Sequence, residues 1–325
     1  MAEAGLEPPF AQALGALVAR LDLGTLSNLH RLSGGASQET WAFEAGGKRM
    51  ILRRAPPDGG ITGQAIGLEK EAALMMLARD AGVPSPRVRA VLKPEDGVGR
   101  GFIMDFVDGE TLGGRIVKAA EAAGTGAALA RQCGDILARI HAIPMNKCPE
   151  LPVRTAQEML ADFRQILAME DRPRPVFELA FRWLDQRIPE RPEITLVHSD
   201  FRNGNLIIGP DGVRAVLDWE IARFGDPMAD LGWLGTACWR FGGEKPVGGF
   251  GLHEDLFAGY EAAGGAKIDP ERVRFWEVLG SLRWGVMCTM SAVRFRSGPS
   301  EVDRPMIARR ASENELDLMQ LIAGY

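Results

Sequence analysis

A chain of 325 residues, 46% hydrophobic and 25% charged with a net charge of −5, can bury a full core without disulfides or a structural metal. Its four cysteines (Cys133, Cys148, Cys238, Cys288) stand far apart with no CxxC pair, which argues against zinc and fits a reducing compartment. No basic stripe marks a nucleic-acid face, no run approaches the ~18 apolar residues of a membrane helix, and the acidic start MAEAGLEPPF lacks the apolar segment of a secretion signal. The expected partners therefore include neither nucleic acid nor membrane, and the expected location is the cytoplasm.

The spacing of Leu14, Leu17, Val18 and Leu21 behind two prolines predicts a helix over 8–21. Short β-type runs follow at 28–33, 39–45 and 48–54, divided by the turn signals SGGAS and AGG. Helical spacing returns over 64–80, with Glu69 and Glu71 among its polar positions, and two further strands are expected at 87–92 and 101–106. From residue 111 the chain reads as mainly helical, over 125–142, 156–169, 174–187, 228–240, 252–264, 271–296 and 307–323. One β episode interrupts these helices at 194–218. The order predicts an α+β protein of two lobes: residues 1–104 as a small sheet lobe, 105–109 as a hinge, and 110–325 as a helical lobe, with a cleft between them.

The chemistry concentrates in the β episode. His198-Ser-Asp200-Phe-Arg-Asn-Gly-Asn205 places an acid five residues before an amide, and Asp218 follows thirteen residues later, after two apolar strands. A hairpin of those strands would bring Asn205 and Asp218 together as hard oxygen ligands for one Mg²⁺, and Asp200 could face an incoming hydroxyl. Phosphoryl transfer needs two oxygen ligands on the metal and a carboxylate that orients the nucleophile. Read singly, each of these side chains could also be an ordinary turn residue.

His-x-Asp-x₄-Asn followed by a strand-borne Asp resembles the catalytic and metal loops of the protein-kinase-like fold, in the aminoglycoside phosphotransferase and choline kinase branch. VHSDFRNGNLII and VLDWEIARFGDPMADLGWL look like the phosphotransferases associated with acyl-CoA dehydrogenases, over about residues 25–320. The resemblance implies ATP and Mg²⁺ as cofactors, Asp200 as catalytic base, Asn205 and Asp218 as metal ligands, and a small-molecule hydroxyl as acceptor. Ser199 departs from the usual glycine, and its small size predicts little effect. Gly34, Gly35 and Ser37 would offer main-chain amides to phosphates. Strand alternation lets only one of Arg53 and Arg54 face the cleft, and the family pattern favours Arg53 paired with Glu71, with Glu69 as the rival partner. The stretch Met104–Gly109 looks like a kinase hinge, implying that the Asp105 carbonyl and Val107 amide hold adenine.

His141 and His198 are expected to brace structure, Asp226 to cap a helix with Pro227 first in it, and Asp230 to sit in its first turn. Glu220 could touch metal or substrate, or lie on a loop. Residues 283–310 hold six arginines against Glu301 and Asp303, a net of +4. With Arg283 and Arg294 on one helical face, this patch predicts an anionic acceptor such as a hydroxy acid or its CoA ester, against the alternative of a solvated, salt-bridged face. An amino-sugar or choline-type acceptor and a non-catalytic nucleotide-binding module are the rival readings. The absence of G-x-S-x-G argues against a serine hydrolase, and the absence of Asp-Phe-Gly and Ala-Pro-Glu argues against a protein kinase.

Overall fold

The computed structural model describes residues 8–32, 38–56, 65–170, 172–190, 192–297 and 303–323. The turn with Gly34, Gly35 and Ser37 lies outside these residues, as does the side chain of Arg294. The helix α1 (Pro8–Arg20) leads into strands β1 (Leu26–Arg31), β2 (Glu39–Ala45) and β3 (Lys48–Arg54). Then come α2 (Leu68–Asp80), β4 (Val88–Val91) and β5 (Gly101–Asp105). The five strands form one antiparallel sheet in the order β1-β2-β3-β5-β4.

In β3 a strict apolar–polar alternation is missing, because Met50, Ile51 and Leu52 are all buried. Both faces of the sheet are covered, which is what an uninterrupted apolar run requires. Phe10, Leu14, Leu17 and Val18 of α1 close one face over Trp41, Phe43, Met50, Leu52 and Ile103. Leu68, Ala72 and Met75 of α2 cover the other with Ala42, Ile51, Phe102 and Met104, in a cluster continuous with the helical lobe.

The helical lobe comprises α3 (Gly113–Ala123), α4 (Gly126–His141), α5 (Ala156–Leu167), α6 (Pro175–Asp185), α7 (Met228–Gly235), α8 (His253–Ala262), α9 (Pro270–Ser297), α10 (Asp303–Ala308) and α11 (Ala311–Ala323). Among the sequence expectations, α3 had not been singled out. The helix expected over 228–240 ends at Gly235, because Thr236 adopts ψ 132° before a short 3₁₀ turn, and the one expected over 307–323 is broken at Arg309–Arg310.

The β episode is also more divided than expected. β7 (Leu206–Gly209) pairs with β8 (Gly212–Val216), whereas β6 (Thr195–Val197) pairs with an additional strand, β9 (Arg223–Gly225). These two ribbons flank the catalytic candidates from opposite sides.

Candidate active site

The hairpin register sets the site. Leu206 lies opposite Val216, and the Leu217 amide donates to the Asn205 carbonyl at 2.9 Å. Asn205 and Asp218 therefore flank the same end of the β7–β8 ribbon. Asp218 lies past the strand, at φ 68°, rather than within it as the sequence suggested.

Asp200 is held by three donors. Asn205 Nδ2 donates to its Oδ2 at 2.6 Å, Trp233 Nε1 to its Oδ1 at 2.8 Å, and Arg202 Nε reaches both oxygens at 3.2 and 3.3 Å. Since Nδ2 of Asn205 is committed to Asp200, its Oδ1 end is the one that could serve a cation. Together with the Asp218 carboxylate this gives two hard oxygens on one edge, a donor set that fits Mg²⁺, which keeps waters and phosphates as its remaining ligands.

The loop itself is fixed from below. Buried Asp230 accepts the main-chain amides of His198 at 2.8 Å and Ser199 at 2.7 Å, and His141 Nε2 donates to it at 3.2 Å. Asp230 thus does more than decorate the first turn of α7. Those donors keep its carboxyl ionised below the usual range although burial works the other way. His198 Nε2 donates to the Leu217 carbonyl at 3.1 Å, leaving Nδ1 to accept the Asp200 amide at 3.2 Å. One neutral imidazole, held neutral by burial, so ties the loop of Asp200 to the residue before Asp218. Asp226 accepts the Met228 amide at 2.9 Å, as a helix-opening acid does, and is also bound by Arg272 and Trp276.

Ser199 sits at φ 69° with its hydroxyl buried and unpartnered, a conformation glycine adopts at lower cost. The expectation of little effect from serine is therefore corrected: the position carries strain.

Across the cleft, Arg53 Nη1 meets Glu71 at 2.8 Å, and its Nη2 reaches Asp218 at 3.3 Å. Glu69 instead pairs with Arg100 at the surface, while Arg54 turns to the opposite face against Glu39 and Phe10. Burial raises the Glu71 carboxyl to about 7, with the Arg53 charge pulling it down and Asp218 and Glu220 pushing it up. Gln38 joins the group by accepting from Arg53 at 2.8 Å and donating to Glu220 at 3.3 Å, so Glu220 sits on the Arg53 side of the cleft. At the joint, the Phe106 amide donates to the Arg49 carbonyl on β3. Alternation then turns the Asp105 carbonyl and the Val107 amide away from that strand. The Asp105 side chain is engaged by Arg89 on β4 at 2.6 and 2.8 Å.

Sequence reasoning missed Trp233 and Arg202. Arg283 is half-buried rather than part of a solvent-facing patch: it donates to the Ser199 carbonyl at 3.0 Å and lies 4.3 Å from the Trp233 ring centre. Arg202 stacks 4.2 Å over Trp239, and Arg310, paired with Glu313, covers Trp284. Arginine and tryptophan thus alternate along the wall next to Asp200. Arg202 stood in the same motif as Asp200, so its residue type was the available signal.

Several solved structures share this architecture. A Ralstonia eutropha protein described as an aminoglycoside phosphotransferase superposes with TM-score 0.74 at 21% identity, over 96% of this chain and 98% of its own. A thermostable mutant of the aminoglycoside phosphotransferase APH(4)-Ia, in ternary complex with AMP-PNP and hygromycin B, gives 0.65 at 17% identity over 96% and 98%. The fold is therefore that of the kinase-like phosphotransferases, a sheet lobe set on a helical lobe.

The chain belongs to the phosphotransferase enzyme family, whose model matches residues 28–276. Among curated proteins it is 30% identical over 229 residues to mouse acyl-CoA dehydrogenase family member 10, covering 64% of this chain and 20% of that protein. It is 29% identical over 220 residues to an Arabidopsis thaliana probable acyl-CoA dehydrogenase, IBR3, covering 61% and 26%. The chain thus spans about a fifth to a quarter of the length of these relatives. No helix among the described residues is long and apolar enough to cross a membrane.

Proposed function

We propose that this protein transfers the γ-phosphate of ATP, with Mg²⁺, to a hydroxyl of a small anionic acceptor, a hydroxy acid or its CoA ester. The observation that carries the reading is the meeting of Asp200, Asn205 and Asp218 at one end of the β7–β8 ribbon, opposite the Arg53–Glu71 pair. In this reading Asp200 orients the acceptor hydroxyl and takes its proton late in the transfer. Asn205 and Asp218 would hold the metal, which would supply positive charge against the phosphates. Arg53, fixed by Glu71, grips phosphate as a planar fork where a lysine would act as a point charge. Gly34, Gly35 and Ser37, outside the described residues, would offer main-chain amides to the phosphates, and the Asp105 carbonyl and Val107 amide would receive adenine. The AMP-PNP bound by the APH(4)-Ia mutant supports an adenine nucleotide in the cleft.

The preference for an anion rests on the wall beside Asp200. Arg202 and Arg283 lie within reach of that carboxylate on tryptophan faces, and a polycation would meet like charge there. The acyl-CoA dehydrogenase names of the curated relatives point to the same acceptor class and to a place in acyl-CoA metabolism. Arg294 lies further along α9, and Glu220 accepts from Gln38, which also binds Arg53.

Nucleotide consumption measured against hydroxy acids, their CoA esters and amino-sugars tests the assignment. Mg²⁺-dependent turnover is expected on the hydroxylated acids, and Asp200→Asn should lower kcat by about 10³-fold or more while AMP-PNP still binds. Turnover confined to amino-sugars would remove the acceptor assignment. Nucleotide binding without any turnover would make the chain a regulatory module.

A further inference from the structure

Arg223, on β9, is a buried arginine without an ion-pair partner among the described residues. Its Nε is buried with no acceptor, and no hydrogen bond or ion pair to its guanidinium is found among the described residues. Burying an uncompensated cation is costly, so such a group persists where something outside the chain completes it. Its surroundings are more cationic still: burial first, then the charges of Arg283 and Arg154, lower its pKa to about 9, with only Asp230 opposing them.

Arg223 lines a cavity of about 450 Å³, walled also by Ile66, Lys70, Pro152, Arg154, Asp162 and Ile221. Lys70 Nζ donates to the Glu150 carbonyl at 2.6 Å and so brings a full positive charge without a carboxylate. Arg154 is paired with Asp162, the one carboxylate among the described residues of the cavity wall. Three cations thus face one anion in a space between the first turn of α2, the segment before α5, and β9.

We propose that this cavity is a binding site for a phosphate-type oxyanion, distinct from the nucleotide cleft, with Arg223 at its floor and Lys70 and Arg154 at its sides. The walls come from both lobes. Lys70 precedes Glu71 on α2, and Arg223 lies five residues beyond Asp218, so a bound anion would bridge the helix that holds Arg53 to the strand that follows the metal loop. The volume leaves room for an organic body behind a phosphate group. The anion could therefore arrive free or as part of a phosphomonoester.

The test is a thermal-shift titration of the whole chain with inorganic phosphate, and in a second arm with glycerol 3-phosphate, each with and without saturating Mg·AMP-PNP. Phosphate should raise the wild-type Tm saturably, and should do so with the nucleotide present. Lys70→Met and Arg154→Met should each weaken phosphate by about tenfold, the scale of one lost charge-assisted contact. Arg223→Met should raise the Tm in phosphate-free buffer and abolish the phosphate response, a pair of effects that a merely structural arginine would not produce.

The proposal is overturned if the wild type shows no saturable shift, or if Lys70→Met and Arg223→Met respond at the wild-type midpoint. Should Arg223→Met not fold, the Lys70→Met midpoint decides. Tighter binding of glycerol 3-phosphate assigns the site to an organic phosphate, and equal affinities assign it to the free ion. A failure of AMP-PNP to bind would count against the phosphotransfer reading and leave the anion titration standing.

Discussion

Asp200 is encircled by donors, and the indole of Trp233 is the one that reaches its loop from a helix. Trp233→Phe keeps the ring and removes the 2.8 Å hydrogen bond, so kcat should fall by about tenfold with nucleotide affinity unchanged in steady-state kinetics. An equal loss in nucleotide binding would show that the ring, not its N–H, matters. Ser199→Gly should raise stability by about 1 kcal/mol in chemical denaturation, since glycine relieves a left-handed backbone and removes a buried unpartnered hydroxyl. Asp200, Asn205 and Asp218 could be found in the sequence because their spacing and the strands between them form one local pattern. Arg53 could be paired with Glu71 rather than Glu69 only through the family resemblance, because either glutamate satisfied the helical spacing. Trp233 could not be found at all: its contact with Asp200 spans 33 residues and exists only once α7 is packed under the loop.

Between elements, the joint of the lobes is stitched more tightly than its sequence suggests. Glu110 and Ile208 exchange main-chain hydrogen bonds at 2.8 and 3.0 Å, pinning the chain after the hinge to strand β7. Gly109 packs so closely there that a Cβ would lie 2.5 Å from Ile207 Cγ2 and 2.7 Å from the Ile208 carbonyl oxygen. Gly109→Ala should therefore destabilise the protein by about 1–3 kcal/mol in urea titration, and an unchanged midpoint would mean that the hairpin yields. The sequence marks Gly109 only as the end of the hinge-like stretch, whereas its role as a contact required the tertiary structure. Strand β9 escaped notice for a related reason: Arg-Phe-Gly is too short and too polar to read as a strand, and pairing with β6 is what makes it one. The glycine-rich opening of α3 concealed that helix in the same way.

Of three apolar clusters among the described residues, two cover the sheet. The larger runs without interruption from the inner face of the sheet into the helical lobe, while the smaller joins α1 to the outer face. Leu14→Ala, at a fully buried position, should cost about 3 kcal/mol, seen as a shift of the main calorimetric transition. A separate low-temperature transition would instead show that α1 melts alone. The two-lobe plan was readable because a β-rich stretch precedes a helix-rich one. The shared cluster was not, since nothing local distinguishes residues that pack across the joint from those that pack within a lobe.

The Glu110–Ile208 pairing bears on how such a cleft could open. With the ribbon fastened to the first residues of the helical lobe, rocking of the sheet would have to part the Val216–Pro84 and Ile66–Glu220 main-chain hydrogen bonds that tie it to the same segment. Asp200, Asn205 and Asp218 would then ride as a fixed anvil while Arg53 swings toward and away from them.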